Sequence, residues 1–445
     1  MPNSKYYPLL ELWCKIQNRM NILMVSNTFT PHVGGVAKSV ESFTAEYRRR
    51  GHRVVVVVPE FEGAPKNEKD VIRLPAIQNF NGSDFSVTLP MIHGQLTSAL
   101  SDFQPDIIHA HHPFLLGDTA LLLSSSVPLV FTHHTMYEQY THYVPGDSPT
   151  LQKFVMALAT GYANLCDAVF APSESIAAIL AERGVVTPIS VIPTGVNISQ
   201  FAEGSRAEFR ASMKIPEKAF VVGHIGRLAP EKNLEFLSRA VIKFLGNPQT
   251  HFLVMGVGPS EKKIRALFKR HGLSGRLHMG GVAANRQLSE AYQAMDVFAF
   301  TSKSETQGIV LAEAMAAGIP VVALDAPGVR EVVIDKQNGR LLANENIQEF
   351  AAALTWVASL TREKSKLIKQ NLKTTAEKFS MSTCANRALA IYQSLITGKT
   401  AGKNIEDSVW KKTLRMIETE WEIWSNRVHA AGAAMHKSYI KRRHD

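Results

Sequence analysis

The segment SETQGIVLAEAMAAG, residues 304–318, sets Glu305 and Glu313 eight positions apart with Gly308 between them. A helix that opens at Gly308 leaves the backbone N–H groups of Gln307, Gly308 and Ile309 without intrahelical acceptors and directed outward. With the positive end of the helix dipole they form a cradle for anionic oxygen. Glu305, in the loop, is placed to accept hydrogen bonds from sugar hydroxyls. Glu313, about two turns along the helix, is placed to hold ribose hydroxyls. A helix cap and a wet-face glutamate would produce the same spacing, so the pattern needs support from elsewhere.

Support comes from HIGRLAPEKN, where Arg227 and Lys232 fall between an apolar run and the start of a helix. Two cations beside a helix N-terminus suit a diphosphate; solvated loop cations are the ordinary alternative. The Gly-x-Gly of HFLVMGVGP follows another apolar run, but without a third glycine it is a weak signal. In the first half, Gly34 and Gly35 mark a turn, and histidines gather at 109, 111, 112, 133, 134 and 142. Imidazoles at neighbouring strand ends can bind metal, yet no carboxylate accompanies these at ligand spacing. No Asp-x-Asp occurs in the chain. Neither metal nor cofactor is therefore expected, and cations with a helix end would stabilise a departing diphosphate.

These residues need a frame. A chain of 445 residues is too long for one core, which stops growing near ~250–300 residues, so two domains are expected. NILMVSN, RVVVVVPE, PDIIHAHH, PLVFTHHT and DAVFAPS are short apolar runs, separated by helical stretches such as AKSVESFTAEYRRRGH and LQKFVMALATGYANLC. Such alternation predicts a parallel, doubly wound α/β sheet. VIPTGVNISQF reads as an exit from it, and FVVGHIGRL opens a second series of the same kind. The prediction is two Rossmann-like domains, 20–195 and 196–385, facing an interdomain cleft that holds the site, then a helical tail, 386–445. The tail is expected to pack across or near the N-terminal domain. Its Trp410, Ile417, Trp421 and Trp424 form a stripe suited to that packing or, less commonly, to a lipid interface.

Composition narrows the partners. With 49 Lys+Arg against 39 Asp+Glu the net charge is +10, which favours acidic partners without choosing among phosphates, nucleic acid and anionic membrane. No RNA-module, zinc-finger or basic-zipper pattern is present, so nucleic acid is not expected. Cys14, Cys166 and Cys384 form no close pair, which points to a reducing cytoplasm. No apolar run reaches the ~18–20 residues of a membrane span. Residues 1–19, with Lys5, Glu11, Lys15 and Arg19, lack the pattern of a signal peptide, and Met20 directly precedes the first strand. Whether that leader is genuine stays open.

Taken in order over residues 20 to 385, the E-x7-E pattern, G-R-x-x-x-E-K and I-P-T-G-V resemble the family-4 retaining glycosyltransferases of GT-B fold. The resemblance implies a nucleotide-sugar donor held by the C-terminal domain and an acceptor held by the N-terminal one. It also implies retention of anomeric configuration. His134 matches the family's His-Thr beside the transferred sugar, and Gly34–Gly35 its turn against the donor phosphates, which admits no side chain. Glu305 and His134 are then the catalytic candidates. Gly34, Gly35, Arg227, Lys232, Gln307, Gly308, Ile309 and Glu313 are the donor-binding ones.

THHTMYEQYTHYVPG further resembles the HTSYxxYxHY of bacterial diacylglycerol glucosyltransferases, as does SETQG, with glutamine where many relatives carry phenylalanine. That implies transfer of a hexose, glucose first, from a UDP-sugar to diacylglycerol by a protein on the inner membrane face. Tyr137, Tyr140, His142 and Tyr143 would lie on the acceptor side, and Arg48, Arg49, Arg50 and Arg53 would suit anionic lipid. One departure counts against it: MIHGQLTSALSDFQ has no lysine or arginine where those relatives often carry a basic helix. Phosphoinositol, a soluble sugar or an envelope polysaccharide are the alternative acceptors. A silent nucleotide-binding scaffold is the alternative to an enzyme.

Overall fold

The computed structural model describes residues 19–401 except 33, 66, 78–86, 89–95, 97, 99, 140, 142–147, 247, 248 and 304, and then residues 422–423 and 425–431. Tyr140, His142 and Tyr143 lie outside the described residues, as do Trp410, Ile417, Trp421 and Trp424. The chain divides into two units. One comprises Met1–Pro172, Ala177–Ile192 and Ala385–Asp445, the other Ser173–Ile176 and Pro193–Cys384.

The first unit carries seven parallel strands: β1 (Asn21–Val25), β2 (Arg53–Pro59), β3 (Val71–Leu74), β4 (Ile107–Ala110), β5 (Leu129–Thr132), β6 (Ala168–Ala171) and β7 (Ile189–Val191). Their order in the sheet is 3-2-1-4-5-6-7. β2 contains five consecutive valines, Val54 to Val58, all buried. A strand covered on both faces has no wet side, and β-branched side chains lose little freedom there. Helix α1 (Gly35–Arg49) buries Ala37, Val40, Phe43, Thr44 and Tyr47, the i, i+3, i+4 face of an amphipathic helix. Beyond its last turn Gly51 takes φ +93, which favours glycine over other residues.

The arginines near the end of α1 each have a partner within the first unit, and Arg49 stays exposed. Arg48 turns inward and donates to the carbonyls of Val54 and Asp70. Arg49 and Arg50 both pair with Glu46 at 2.7 Å. Arg53 donates to Asp102 O and lies over the Phe103 ring. Charge read along the chain does not show that Arg48 is spent on backbone carbonyls and that Arg49 and Arg50 share one carboxylate.

The described part of the tail belongs to this unit. Tyr392, on the last long helix (Met381–Ala401), is fully buried, and its hydroxyl meets His109 Nδ1 and, at 3.4 Å, the Tyr47 hydroxyl. His109 Nε2 in turn lies 2.6 Å from Thr132 Oγ1. Further on, Asn426 donates to Leu158 O in helix α2 (Pro149–Asn164).

The second unit has six parallel strands: β8 (Phe220–Ile225), β9 (Thr250–Met255), β10 (Leu277–Met279), β11 (Val297–Phe300), β12 (Val321–Leu324) and β13 (Gly339–Leu342). Their order is 10-9-8-11-12-13. Both faces are covered. Val221, Leu253, Phe298, Phe300 and Val321 pack into one core, and Val222, Phe252, Val254, Val297 and Val322 into another. Successive strand residues point to opposite sides, so one sheet feeds two cores. The start of β8 is pinned by Arg210, 2% exposed, which bonds Asp296 Oδ2 at 2.9 Å, and Asp296 Oδ2 also accepts from Val221 N. Among the described residues no helix is long and apolar enough to cross a membrane.

Candidate active site

Strand order decides where the candidate residues meet. In the second sheet the order reverses between β8 and β11, and ligands of such sheets bind outside the carboxyl ends of the strands at that reversal. Arg227 and Lys232 follow β8, and Glu305 follows β11. Thr301 Oγ1 lies 3.0 Å from Lys232 O, and Lys303 N donates to Glu231 O at 3.0 Å, lacing the two loops together. Lys232 Nζ then lies 3.2 Å from Glu305 Oε2 and 3.3 Å from Ser302 Oγ, with the Phe300 ring 5.9 Å away. Both Lys232 and Glu305 are largely buried, at 19% and 17% side-chain exposure, so this ion pair is shielded from the screening that weakens surface pairs.

Arg227 is held differently. Its guanidinium bonds Glu231 Oε1 at 2.7 Å and is half exposed. Burial raises the Glu231 carboxyl, but the Arg227 hydrogen bond and charge, with Lys232 behind, outweigh it and leave Glu231 below the usual carboxylate range. Glu231 is the glutamate of the G-R-x-x-x-E-K motif, but its role as the partner of Arg227 is not stated by that spacing.

The helix of the opening motif is α5 in a series continued by α3 (Leu234–Phe244) and α4 (Asn285–Gln293); it spans Ile309–Ala316. Gly308 is its N-cap with φ +70, and a Cβ there would lie 2.7 Å from Leu311 Cδ1 and 3.2 Å from Gly328 O. Glycine is the residue that fits. Because only residues from Ile309 are helical, Glu313 stands about one turn in rather than two. Glu313 is 8% exposed and accepts at 2.9 Å from the hydroxyl of Tyr292, a residue that reads in the sequence as simple core.

The Gln307 side chain is committed elsewhere than to a ligand. Its amide receives Thr194 N and donates to Thr194 O, both at 2.7 Å, joining the acidic loop to the I-P-T-G-V segment. Ser173 Oγ adds a bond to Thr306 O at 2.7 Å. Ile309 is half-buried.

In the first sheet the reversal falls between β1 and β4. Gly34 and Gly35 follow β1, His111 and His112 follow β4, and His133 and His134 follow β5. His111 Nδ1 lies 2.8 Å from His134 Nε2, with the rings stacked at 5.1 Å. Burial, then neighbouring imidazoles, hold both well below the usual histidine range, and burial takes His109, His112 and His133 down to about 3. All are neutral at pH 7. Among the described residues no three His, Cys, Asp or Glu side chains are grouped to hold a metal ion. Tyr137 packs its ring against Phe114 at 5.2 Å and His133 at 5.6 Å, an aromatic corner. A Cβ at Gly35 would meet nothing within 4 Å, and one at Gly34 would meet only the His32 ring at 3.1 Å. Crowding inside the chain therefore does not explain why glycine stands at these two positions.

Two all-parallel sheets of this order, the first with imidazole and the second with cationic and acidic side chains at its strand ends, define the GT-B class of glycosyltransferase folds. The Anabaena protein HepE, solved with UDP and glucose, shares that fold at a TM-score of 0.67 and 21% identity, over 84% of this chain and 100% of its own. Residues 33–200 match the family described as Glycosyltransferase Family 4, and residues 205–374 match Glycosyl transferases group 1. A GDP-mannose-dependent alpha-mannosyltransferase of Mycolicibacterium smegmatis is 30% identical over 342 residues, 75% of this chain and 87% of that protein. An alpha-monoglucosyldiacylglycerol synthase of Streptococcus pneumoniae is 26% identical over 369 residues, 81% of this chain and 83% of that one. The chain belongs to the group 1 and family 4 glycosyltransferases.

Proposed function

We propose that this glycosyltransferase moves a hexose, glucose first, from a UDP-sugar to diacylglycerol with retention of configuration and without a metal ion. The observation that carries the reading is the buried Lys232–Glu305 pair at 3.2 Å beside the strand-order reversal, next to the helix start at Gly308. Lys232, Arg227 and the backbone N–H groups of Gln307, Gly308 and Ile309 would receive the diphosphate. Glu305 would accept from hydroxyls of the sugar, and Glu313 from those of the ribose. On the first unit, Gly34 and Gly35 would admit the phosphates and His134 would steady the sugar, with Tyr137, Tyr140, His142 and Tyr143 on the acceptor side.

The acceptor hydroxyl would attack from the face that the departing diphosphate vacates, through an oxocarbenium-like state. Charge then grows on the leaving oxygen, where fixed cations and amide dipoles act without reorganising. The diacylglycerol acceptor is supported by the synthase named above. A UDP donor is supported by HepE, solved with UDP and glucose. A cytoplasmic location on the inner membrane face follows from the lipid acceptor. The second reading, a GDP-sugar donor with phosphoinositol, a soluble sugar or an envelope polysaccharide as acceptor, is favoured by the 30% identical mannosyltransferase and by the inward-turned Arg48.

The test offers purified full-length protein labelled UDP-glucose or GDP-mannose, with diacylglycerol in phosphatidylglycerol vesicles, inositol phosphate or free glucose, each with and without EDTA. Solvent-extractable α-glucosyldiacylglycerol formed in EDTA supports the proposal. Product only from a water-soluble acceptor, transfer only from GDP-mannose, a β-linked product or abolition by EDTA would each remove the corresponding part.

A further inference from the structure

We propose that Tyr292 is a positioning residue that fixes the Glu313 carboxylate for the ribose hydroxyls of a nucleoside diphosphate; this rests on the reading that Glu313 holds the ribose. Tyr292 lies on α4, fully buried, with its ring edge-on to Phe201 at 5.6 Å and tilted against Phe298 at 5.6 Å. Packed on two sides, the ring cannot swing, so its hydroxyl is a fixed point. That hydroxyl donates to Glu313 Oε2 at 2.9 Å and has Val310 O at 3.1 Å as a second acceptor. The shorter contact is to the charged oxygen, which is the stronger acceptor.

Burial, then the Glu313 charge, raises the phenol well above its usual range, so it keeps its proton and stays a donor. A buried carboxylate without such a donor carries a heavy desolvation cost. A carboxylate has about four lone-pair sites, and the phenol bond to Oε2 fixes the plane in which the group would meet two vicinal hydroxyls. Fixing that geometry before binding spares the side-chain ordering that a mobile glutamate would undergo on meeting its ligand. The bond also joins α4 to α5 across 21 positions of sequence, so a purely structural role predicts a different outcome from a positioning role.

The experiment is a binding cycle on the full chain, with UDP and 2′,3′-dideoxy-UDP titrated calorimetrically into wild type, Tyr292→Phe and Glu313→Gln. Phenylalanine keeps the packed ring and deletes only the hydroxyl. Tyr292→Phe is expected to weaken UDP about tenfold and dideoxy-UDP less than about twofold, the scale of one charge-assisted hydrogen bond. In turnover, the donor KM should rise with kcat nearly unchanged. Equal weakening of both ligands, or of neither, overturns the positioning role. If wild type and Glu313→Gln alike fail to distinguish the two ligands, the ribose reading fails first and the proposal falls with it. Should Tyr292→Phe not fold, the wild-type complex with UDP decides. Tyr292 Oη bonded to one Glu313 oxygen while the carboxylate bonds ribose supports the role, and a separation beyond about 4 Å refutes it.

Discussion

Lowering the pH from 7 to 5 is expected to loosen the first unit before the second, because the first unit folds around neutral imidazoles. His109, His112 and His133 are held at about 3 by burial, against an ordinary 6.5. As pH falls through 6.5 the unfolded chain takes up a proton at each position, and the folded chain does not until about 3. The unfolded state therefore binds more protons in that window, and stability falls as pH falls. At pH 5 the gap is about 1.5 pH units per histidine, or about 2 kcal/mol each and about 6 kcal/mol for the three. In the second unit His224, held at about 4, contributes about 2 kcal/mol by the same reckoning. A domain's whole stability is about 5–15 kcal/mol, so the first unit approaches its limit.

Hydrogen exchange read by mass spectrometry at pH 7 and 5, corrected for intrinsic rates, should show peptides covering 107–112 and 129–134 losing protection before those covering 221–225 and 297–300. His133 supplies a control: among the described residues neither of its ring nitrogens has a hydrogen-bond partner, and it packs edge-on to Phe131 and Tyr137. His133→Phe should fold and reduce the pH slope of stability by about one proton, about 1.4 kcal/mol per pH unit. Loss of the second unit first, or both units intact at pH 5, would refute the reasoning.

Glu305→Ala should cut turnover about a hundredfold or more while the far-ultraviolet circular dichroism is unchanged, the scale of losing one preorganised polar contact. Near-normal turnover would remove Glu305 from the mechanism. Gly35→Ala should leave thermal stability the same or up to about 1 kcal/mol higher, since the new methyl meets nothing within 4 Å, yet raise the donor KM at least about tenfold. An unchanged KM would separate this turn from the phosphates. Gln307→Ala removes two hydrogen bonds to the Thr194 backbone in a buried place and should cost about 2–4 kcal/mol in urea denaturation. A loss under about 0.5 kcal/mol would show that the clasp does not matter.

Local pattern carried much of this protein. Short apolar runs ending in polar residues gave the alternation of strand and helix, because a parallel strand buried on both faces has to be apolar throughout. Gly308 at a helix start, the cations after β8 and the two glutamates were visible for the same reason: their surroundings in sequence are their surroundings in space. Pairings across the chain were not. Lys232 meets Glu305 across 73 positions, Gln307 meets Thr194 across 113, and His109 meets Tyr392 across 283. The order 10-9-8-11-12-13 makes β8 and β11 neighbours although β9 and β10 lie between them in the chain, and that choice belongs to sheet assembly. The same assembly turned Arg48 onto backbone carbonyls and set a core tyrosine, Tyr292, against a buried carboxylate. Hydrogen bonding of a side chain depends on what the fold brings within about 3 Å, and no spacing along one strand or helix encodes that.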